Sequence, residues 1–118
     1  MIIAQICQRN VDTAQAVESV RTAAQRMGTR NVGTLVVLNE LGRPVGILTD
    51  RDVAVRVVGQ GRDPYATTVG SVMTEDLETV RENVSIEDAL RRMRSRAVRR
   101  LPVTDGAGEC LGGSCQRF

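Results

Sequence analysis

The 118-residue sequence has no histidine, no lysine and no tryptophan, and only one tyrosine and one phenylalanine, Tyr65 and Phe118. Each absence removes a class of chemistry. Without histidine the chain lacks the commonest general base and the commonest metal ligand at neutral pH. Without lysine there is no Schiff-base or lysine-base catalysis. Two aromatic residues are too few for stacking on nucleic-acid bases, and the core must be built from Val, Leu, Ile, Met and Ala. No apolar run approaches the roughly 20 residues of a membrane span. Met1 to Ile6 lacks the cationic start of a secretion signal, so the chain is expected to be cytoplasmic. Cysteines number three, Cys7, Cys110 and Cys115, and an odd count outside a secreted context points to reduced thiols. Cys110 and Cys115 have no second pair or histidine to complete a tetrahedral site, so no metal is expected. All sixteen basic residues are arginine, against fourteen acids; a net charge of +2 is too small to indicate nucleic acid.

What is present is a β-α-β-β-α order. After a short apolar start (Ile2, Ile3, Ile6) and a polar break at Gln8-Arg9-Asn10, a short strand is expected over 11–14. Val17, Val20, Ala23, Ala24 and Met27 recur at three- and four-residue spacing. They predict an amphipathic helix over 17–27 with Glu18, Arg21, Thr22, Gln25 and Arg26 facing solvent and Gly28 as its stop. Gly33 to Leu38 reads as a buried strand, Asn39 to Pro44 as a turn, and Val45 to Leu48 as the second arm of a hairpin. Thr49 then caps a helix from Asp50 to about Val58 that is apolar on most sides. Gly59 to Thr68, with two glycines and a proline, reads as a linker.

The order then begins again. A shift of 66 positions lays the second half on the first without a gap: Thr13 on Thr79, Ser19 on Ser85, Ala23 on Ala89, Met27 on Met93, Arg30 on Arg96, Val32 on Val98, Leu35 on Leu101, Val37 on Val103, Gly42 on Gly108 and Gly46 on Gly112. Strands meet strands and helices meet helices. An internal repeat of this kind means that each half exposes apolar surface too large for its own core and that the two share it. The division expected is a first repeat over 1–59, a linker over 60–74 and an incomplete second repeat over 75–118.

Gly46-Ile47-Leu48-Thr49-Asp50-Arg51-Asp52 is the stretch that bears on function. Thr49 and Asp52 stand at capping-box spacing, and the plain reading is a capped helix. The sharper reading shares the cap with a ligand, because a helix's first turn offers unpaired N–H groups and a positive dipole end to a phosphate.

The tandem β-α-β-β-α repeat resembles a pair of CBS domains, named after cystathionine β-synthase. Gly46 to Asp52 matches that family's glycine–apolar–x–Ser/Thr–x–x–Asp signature. Val72-Met73-Thr74 resembles the Val-Met-Thr that opens a repeat, and Val98-Arg99-Arg100-Leu101-Pro102-Val103 its Arg-x-Leu-Pro-Val strand. The resemblance covers about Ile6 to Gly113. It implies an α+β fold of two repeats packed sheet to sheet with pseudo-two-fold symmetry. It also implies a non-catalytic regulatory module that takes AMP, ADP, ATP, NAD or S-adenosylmethionine in the cleft between them, with no required cofactor. Carried over by position, Thr49 and Asp52 hold ribose and phosphate, with Arg51 near the phosphate. Arg99 and Arg100 approach that phosphate from the facing repeat as guanidinium forks. The backbone of Glu78, Thr79 and Val80 lines the adenine, and Ile47 supplies an apolar face.

The second half departs from the pattern. Under the same shift Thr49 falls on Cys115 and Asp52 on Phe118, while Gly33 and Thr34 stand where Arg99 and Arg100 stand. The pseudo-symmetric second site is expected to be weak or empty, and the final helix of the second repeat to be missing. The abrupt change near Cys110 suggests a truncated or frame-shifted tail. Without that helix, the apolar helix 50–58 is expected to be covered by a second copy in a homodimer. Within the basic run Arg91 to Arg100, residues 91 to 96 read as a solvated face, with Glu87–Arg91 and Asp88–Arg92 as i,i+4 pairs, and Arg99 and Arg100 keep the phosphate role. Asp50 and Asp52 read as cap residues, not metal ligands. The alternative to a ligand-sensing module is a ligand-free interaction domain in which Thr49 and Asp52 only cap a helix. The regulated partner protein is not named by the sequence.

Overall fold

Hydrogen bonding in the two halves is the same pattern written twice. A computed structural model of the chain describes Ile2 and residues 11–75, 77, 79–95 and 100–115. These form two compact units: Asp12–Leu77, and a second holding the described residues from 79 onward together with Ile2 and Val11.

In the first unit, β1 (Thr13–Gln15), α1 (Val20–Arg30), β2 (Thr34–Leu38) and β3 (Pro44–Thr49) make a sheet of order β1-β2-β3. β1 runs parallel to β2, with α1 as the crossover, and β3 pairs antiparallel with β2. The second unit repeats this with β4 (Val80–Arg81), α4 (Ile86–Ser95), β5 (Arg100–Thr104) and β6 (Cys110–Cys115). Every pairing of the antiparallel hairpin carries over at a shift of 66, as do two of the three parallel pairs between β1 and β2. Thr34↔Thr49 becomes Arg100↔Cys115, Val37↔Gly46 becomes Val103↔Gly112, and the irregularity after Val37 recurs after Val103. The hairpin turns repeat too. Asn39 Oδ1 accepts from the N–H groups of Leu41 and Arg43, and Asp105 Oδ1 from those of Ala107 and Glu109. Gly42 and Gly108 each close the turn at positive φ, 76° and 84°, a conformation that only glycine adopts without strain. The expectation of an α+β fold with an internal repeat is thus met, and β6 forms in full register despite its Gly-Gly-Ser-Cys composition.

The cores repeat as well. Ala14, Ala23, Met27, Leu35 and Val37 are buried in the first unit, and Val80, Ala89, Met93, Leu101 and Val103 at the equivalent places in the second. The first unit adds Leu48, Val57, Val69 and Val72. Val69 and Val72 belong to a short helix, α3 (Val69–Val72), and the residues before it fold back on α1. The N–H groups of Val20 and Arg21 donate to the carbonyls of Thr67 and Pro64, so this segment satisfies donors that the first turn of a helix leaves open.

Three local expectations are corrected. α1 starts three residues later than predicted and runs past Gly28. Ser19 is its N-cap, with Oγ accepting from the Thr22 N–H, and Asn31, left-handed at φ 53°, ends it. Val17 therefore lies before the helix and is 85% exposed instead of facing the core. The helix after β3 is not one regular α-helix. Three residues, α2 (Asp50–Asp52), continue as wider π-helical turns over Val53–Val58, closed by the Gly59 N–H on the Ala54 carbonyl. On α4, Arg91 pairs with Asp88 at i,i+3 (2.9 Å) and Arg92 donates to the Thr79 carbonyl, in place of the two i,i+4 pairs. Both spacings put side chains on one helix face, and a strand-end carbonyl takes the second arginine.

Candidate functional site

β3 delivers its last residue, Thr49, at the N-terminus of α2. The Thr49 hydroxyl accepts from the Asp52 N–H at 3.1 Å, and the Asp52 carboxylate accepts from the Thr49 N–H at 3.0 Å. This is a complete capping box. Asp52 is 8% exposed. Two groups from elsewhere in the chain converge on it. The Thr74 hydroxyl lies 3.3 Å from both carboxylate oxygens, and the Arg56 Nε lies 3.9 Å from Oδ1.

Thr74 reaches Asp52 because its own backbone is fastened to β3. The Ile47 N–H donates to the Thr74 carbonyl at 2.9 Å, and the Thr74 N–H to the Ile47 carbonyl at 2.8 Å. Gly46 makes this possible. A Cβ there would sit 2.6 Å from the Met73 sulfur and 2.8 Å from the Thr74 carbonyl oxygen. The Val-Met-Thr stretch is thus a strap on the first unit's β3. Arg56 secures its other end, donating through one terminal nitrogen to the carbonyls of Val72 (2.9 Å) and Met73 (3.1 Å).

The expectation of open backbone donors for a phosphate is overturned. The Asp50 N–H donates to the Gly33 carbonyl at 2.9 Å, the Arg51 N–H to the Asp50 carboxylate at 2.8 Å, and the Asp52 N–H to Thr49. All three N–H groups of α2 are taken. The groups left with free donors here are side chains. The Thr49 hydroxyl can serve, since its oxygen accepts from Asp52 while its proton stays available. Arg51 is exposed, and its guanidinium makes no ion pair among the described residues. The carboxylate of Asp52 has acceptor capacity beyond the Thr49 N–H.

Of the residues singled out in the sequence, Ile47, Thr49, Arg51 and Asp52 come together on the first unit, with Ile47 and Thr49 half-buried. Thr79, Val80 and Arg100 belong to the second unit. Val80 is buried in β4, Thr79 just before it gives its carbonyl to Arg92, and Arg100 begins β5. Glu78 and Arg99 lie outside the described residues. Cys115 ends β6 opposite Arg100, and Phe118 lies outside the described residues. Sequence reasoning did not find Arg56 or the contact of Thr74. The i,i+4 spacing of Asp52 and Arg56 was a legible signal; the Thr74 contact, across 22 residues, had none.

The family model for the CBS domain matches residues 3–59 and 69–113. The chain belongs to the CBS-domain family. This CBS chain is 41% identical over 95 residues to the CBS domain-containing protein YhcV of Bacillus subtilis, covering 80% of the chain and 66% of YhcV. It is 35% identical over 86 residues to hypoxic response protein 1 of Mycobacterium tuberculosis, covering 73% of the chain and 60% of that protein. A crystal structure of hypoxic response protein I with two coordinated zinc ions matches with a TM-score of 0.86 at 29% identity, covering 98% of this chain and 92% of that one. The CBS domain pair of protein MJ0100, in complex with 5-methylthioadenosine and S-adenosylmethionine, shares the fold at 23% identity and a TM-score of 0.79, covering 98% and 89%. The chain spans between 56% and 66% of the length of the first curated relatives it matches. No helix among the described residues is long and apolar enough to cross a membrane.

Proposed function

We propose that the chain is a non-catalytic regulatory module that binds an adenosine-containing ligand, one of AMP, ADP, ATP, NAD or S-adenosylmethionine. The observation that carries the reading is the intact Thr49–Asp52 box at the end of β3, in the family's signature position, with a buried carboxylate and a hydroxyl proton left to donate. The carboxylate accepts from ribose hydroxyls. Thr49 and Arg51 serve the phosphate or its replacement, and Ile47 lies against the base. By the family's pattern the backbone of Glu78, Thr79 and Val80 lines the adenine, and Arg99 and Arg100 complete the anion contacts. The second, pseudo-symmetric site, without a threonine or aspartate, is weak or empty. The MJ0100 complex supports the ligand class only by shared fold. A cytoplasmic location, an unidentified regulated protein, and a homodimer that covers Val55 and Val58 (50% and 74% exposed) belong to the same proposal.

A ligand-free interaction domain is the second reading, favoured by the closure of all three α2 amides. A thermal-shift screen with the five ligands separates the two. Binding to the folded state alone raises stability by about 2.7 kcal/mol at a ligand concentration 100 times Kd. The first reading expects such a rise for at least one ligand, reduced by Asp52→Ala and by Arg99→Ala. No shift with any of the five refutes it.

A further inference from the structure

Arg56 has no part in the family signature and sits one turn beyond the capping box, in the π-helical stretch. Its guanidinium is in two places at once. One terminal nitrogen holds the carbonyls of Val72 and Met73, and Nε lies 3.9 Å from Asp52 Oδ1. The next residue of the strap, Thr74, turns its hydroxyl to the same carboxylate. We propose that Arg56 is a positioning residue for the Asp52 site. It fixes the strap 72–74, and through Thr74 and its own charge it fixes the carboxylate, without touching the ligand. The inference rests on the ligand reading above and adds to it the source of the carboxylate's orientation.

The geometry supports this beyond simple packing. α3 is a four-residue helix whose last carbonyls need donors. The π-helical widening, closed through Gly59 and Ala54, accompanies an Arg56 that reaches those carbonyls while staying beside Asp52. A charge-assisted contact to two carbonyls is stronger than a neutral one. Removing it frees one end of the strap while Gly46 still lets the other end lie on β3.

The test compares the full chain with Arg56→Lys, Arg56→Met and Thr74→Val, by two readouts. The first is amide hydrogen exchange of Ile47 and Thr74, the two N–H groups that bind the strap to β3, referenced to Val37 in the core. Arg56→Met is expected to speed exchange at Ile47 and Thr74 about tenfold, the size of one lost charged hydrogen bond, and to leave Val37 unchanged. Arg56→Lys keeps a cation able to donate to the same carbonyls and restores most of the protection. The second readout is calorimetric titration with AMP and with S-adenosylmethionine. Kd is expected to rise about fivefold to tenfold in Arg56→Met and to change less than about threefold in Arg56→Lys. The double variant Arg56→Met/Thr74→Val is expected to lose less than the sum of the singles, because both act on one carboxylate. Unchanged exchange in Arg56→Met overturns the proposal, as does an affinity that falls equally in the lysine variant. If neither probe binds the wild-type chain, ADP, ATP and NAD are titrated in the same way, and binding by none of the five fails the ligand reading and takes the site role of Arg56 with it. The exchange readout then decides separately whether Arg56 holds the strap.

Discussion

Gly46→Ala tests the strap most directly, because the structure sets both the sign and the size of the effect. An added Cβ would stand 2.6 Å from the Met73 sulfur, 2.8 Å from the Thr74 carbonyl oxygen and 3.0 Å from Met73 Cγ. The methionine side chain can turn away. The Thr74 carbonyl cannot, because it accepts from the Ile47 N–H at 2.9 Å while the Thr74 N–H donates back at 2.8 Å. Relieving the overlap requires the strap to retreat by roughly 0.5–1 Å, which stretches both bonds to the limit of hydrogen-bond geometry. Two backbone hydrogen bonds at a net 0.5–1.5 kcal/mol each give a loss of about 1–3 kcal/mol, the same range as overpacking by one methyl group. At roughly 4 °C per kcal/mol for a domain of this size, Tm should fall by about 4–12 °C.

Gly28→Ala is the matched control. Gly28 lies inside α1 with nothing within 4 Å of an added Cβ. Alanine there should raise stability by about 0.5–1 kcal/mol through helix propensity and reduced unfolded-state entropy. The assay is thermal and urea denaturation of both variants beside the wild type. If Gly46→Ala melts at or above the wild-type temperature, the strap is not seated on β3 as described, and the account of how Thr74 reaches Asp52 fails with it.

Other consequences of the structure can be measured in the same way. Thr49→Ala removes the acceptor of the Asp52 N–H and should cost about 1 kcal/mol, with Thr49→Ser close to neutral in urea denaturation. Asn31→Gly should be as stable as the wild type or more so, and Asn31→Val should lose about 1–2 kcal/mol, since only glycine escapes the left-handed penalty at φ 53°. Leu35→Ala and Leu101→Ala, at equivalent and fully buried places, should each cost about 2–5 kcal/mol. A loss below 1 kcal/mol at either leucine would show that its unit is not packed as described.

Much of the fold was legible because a repeat adds a constraint that a single motif lacks. Strand register depends on which backbones face each other, and a shift of 66 that keeps Leu35 on Leu101 and Gly46 on Gly112 fixes both hairpins together. The ends of α1 were less legible. Apolar spacing admits Val17 as easily as Val20, and the decision falls to Ser19 and Asn31, whose cap geometry a hydrophobic pattern does not report. The π-helical turns were not legible at all, since Val53 to Val58 has the composition of an ordinary buried helix.

The candidate site shows where sequence reading gives out for a physical reason. Thr49 and Asp52 interact across three residues, so their spacing carries the information. Thr74 meets Asp52 across 22 residues, and only the docking of the strap on Gly46 brings it there. The same tertiary detail reverses one inference from spacing alone. A helix start suggests free amides, but the Gly33 carbonyl and the Asp50 carboxylate occupy two of them and Thr49 the third. The first unit therefore offers a ligand a hydroxyl, a carboxylate and a guanidinium in place of a backbone cradle. Under the ligand reading proposed above, discrimination among adenosine ligands on this unit falls to those side chains. Arg51→Ala should weaken ligands in proportion to their phosphate charge, with ATP losing more than AMP and S-adenosylmethionine least, and equal losses across the series would return the anion contact to the backbone.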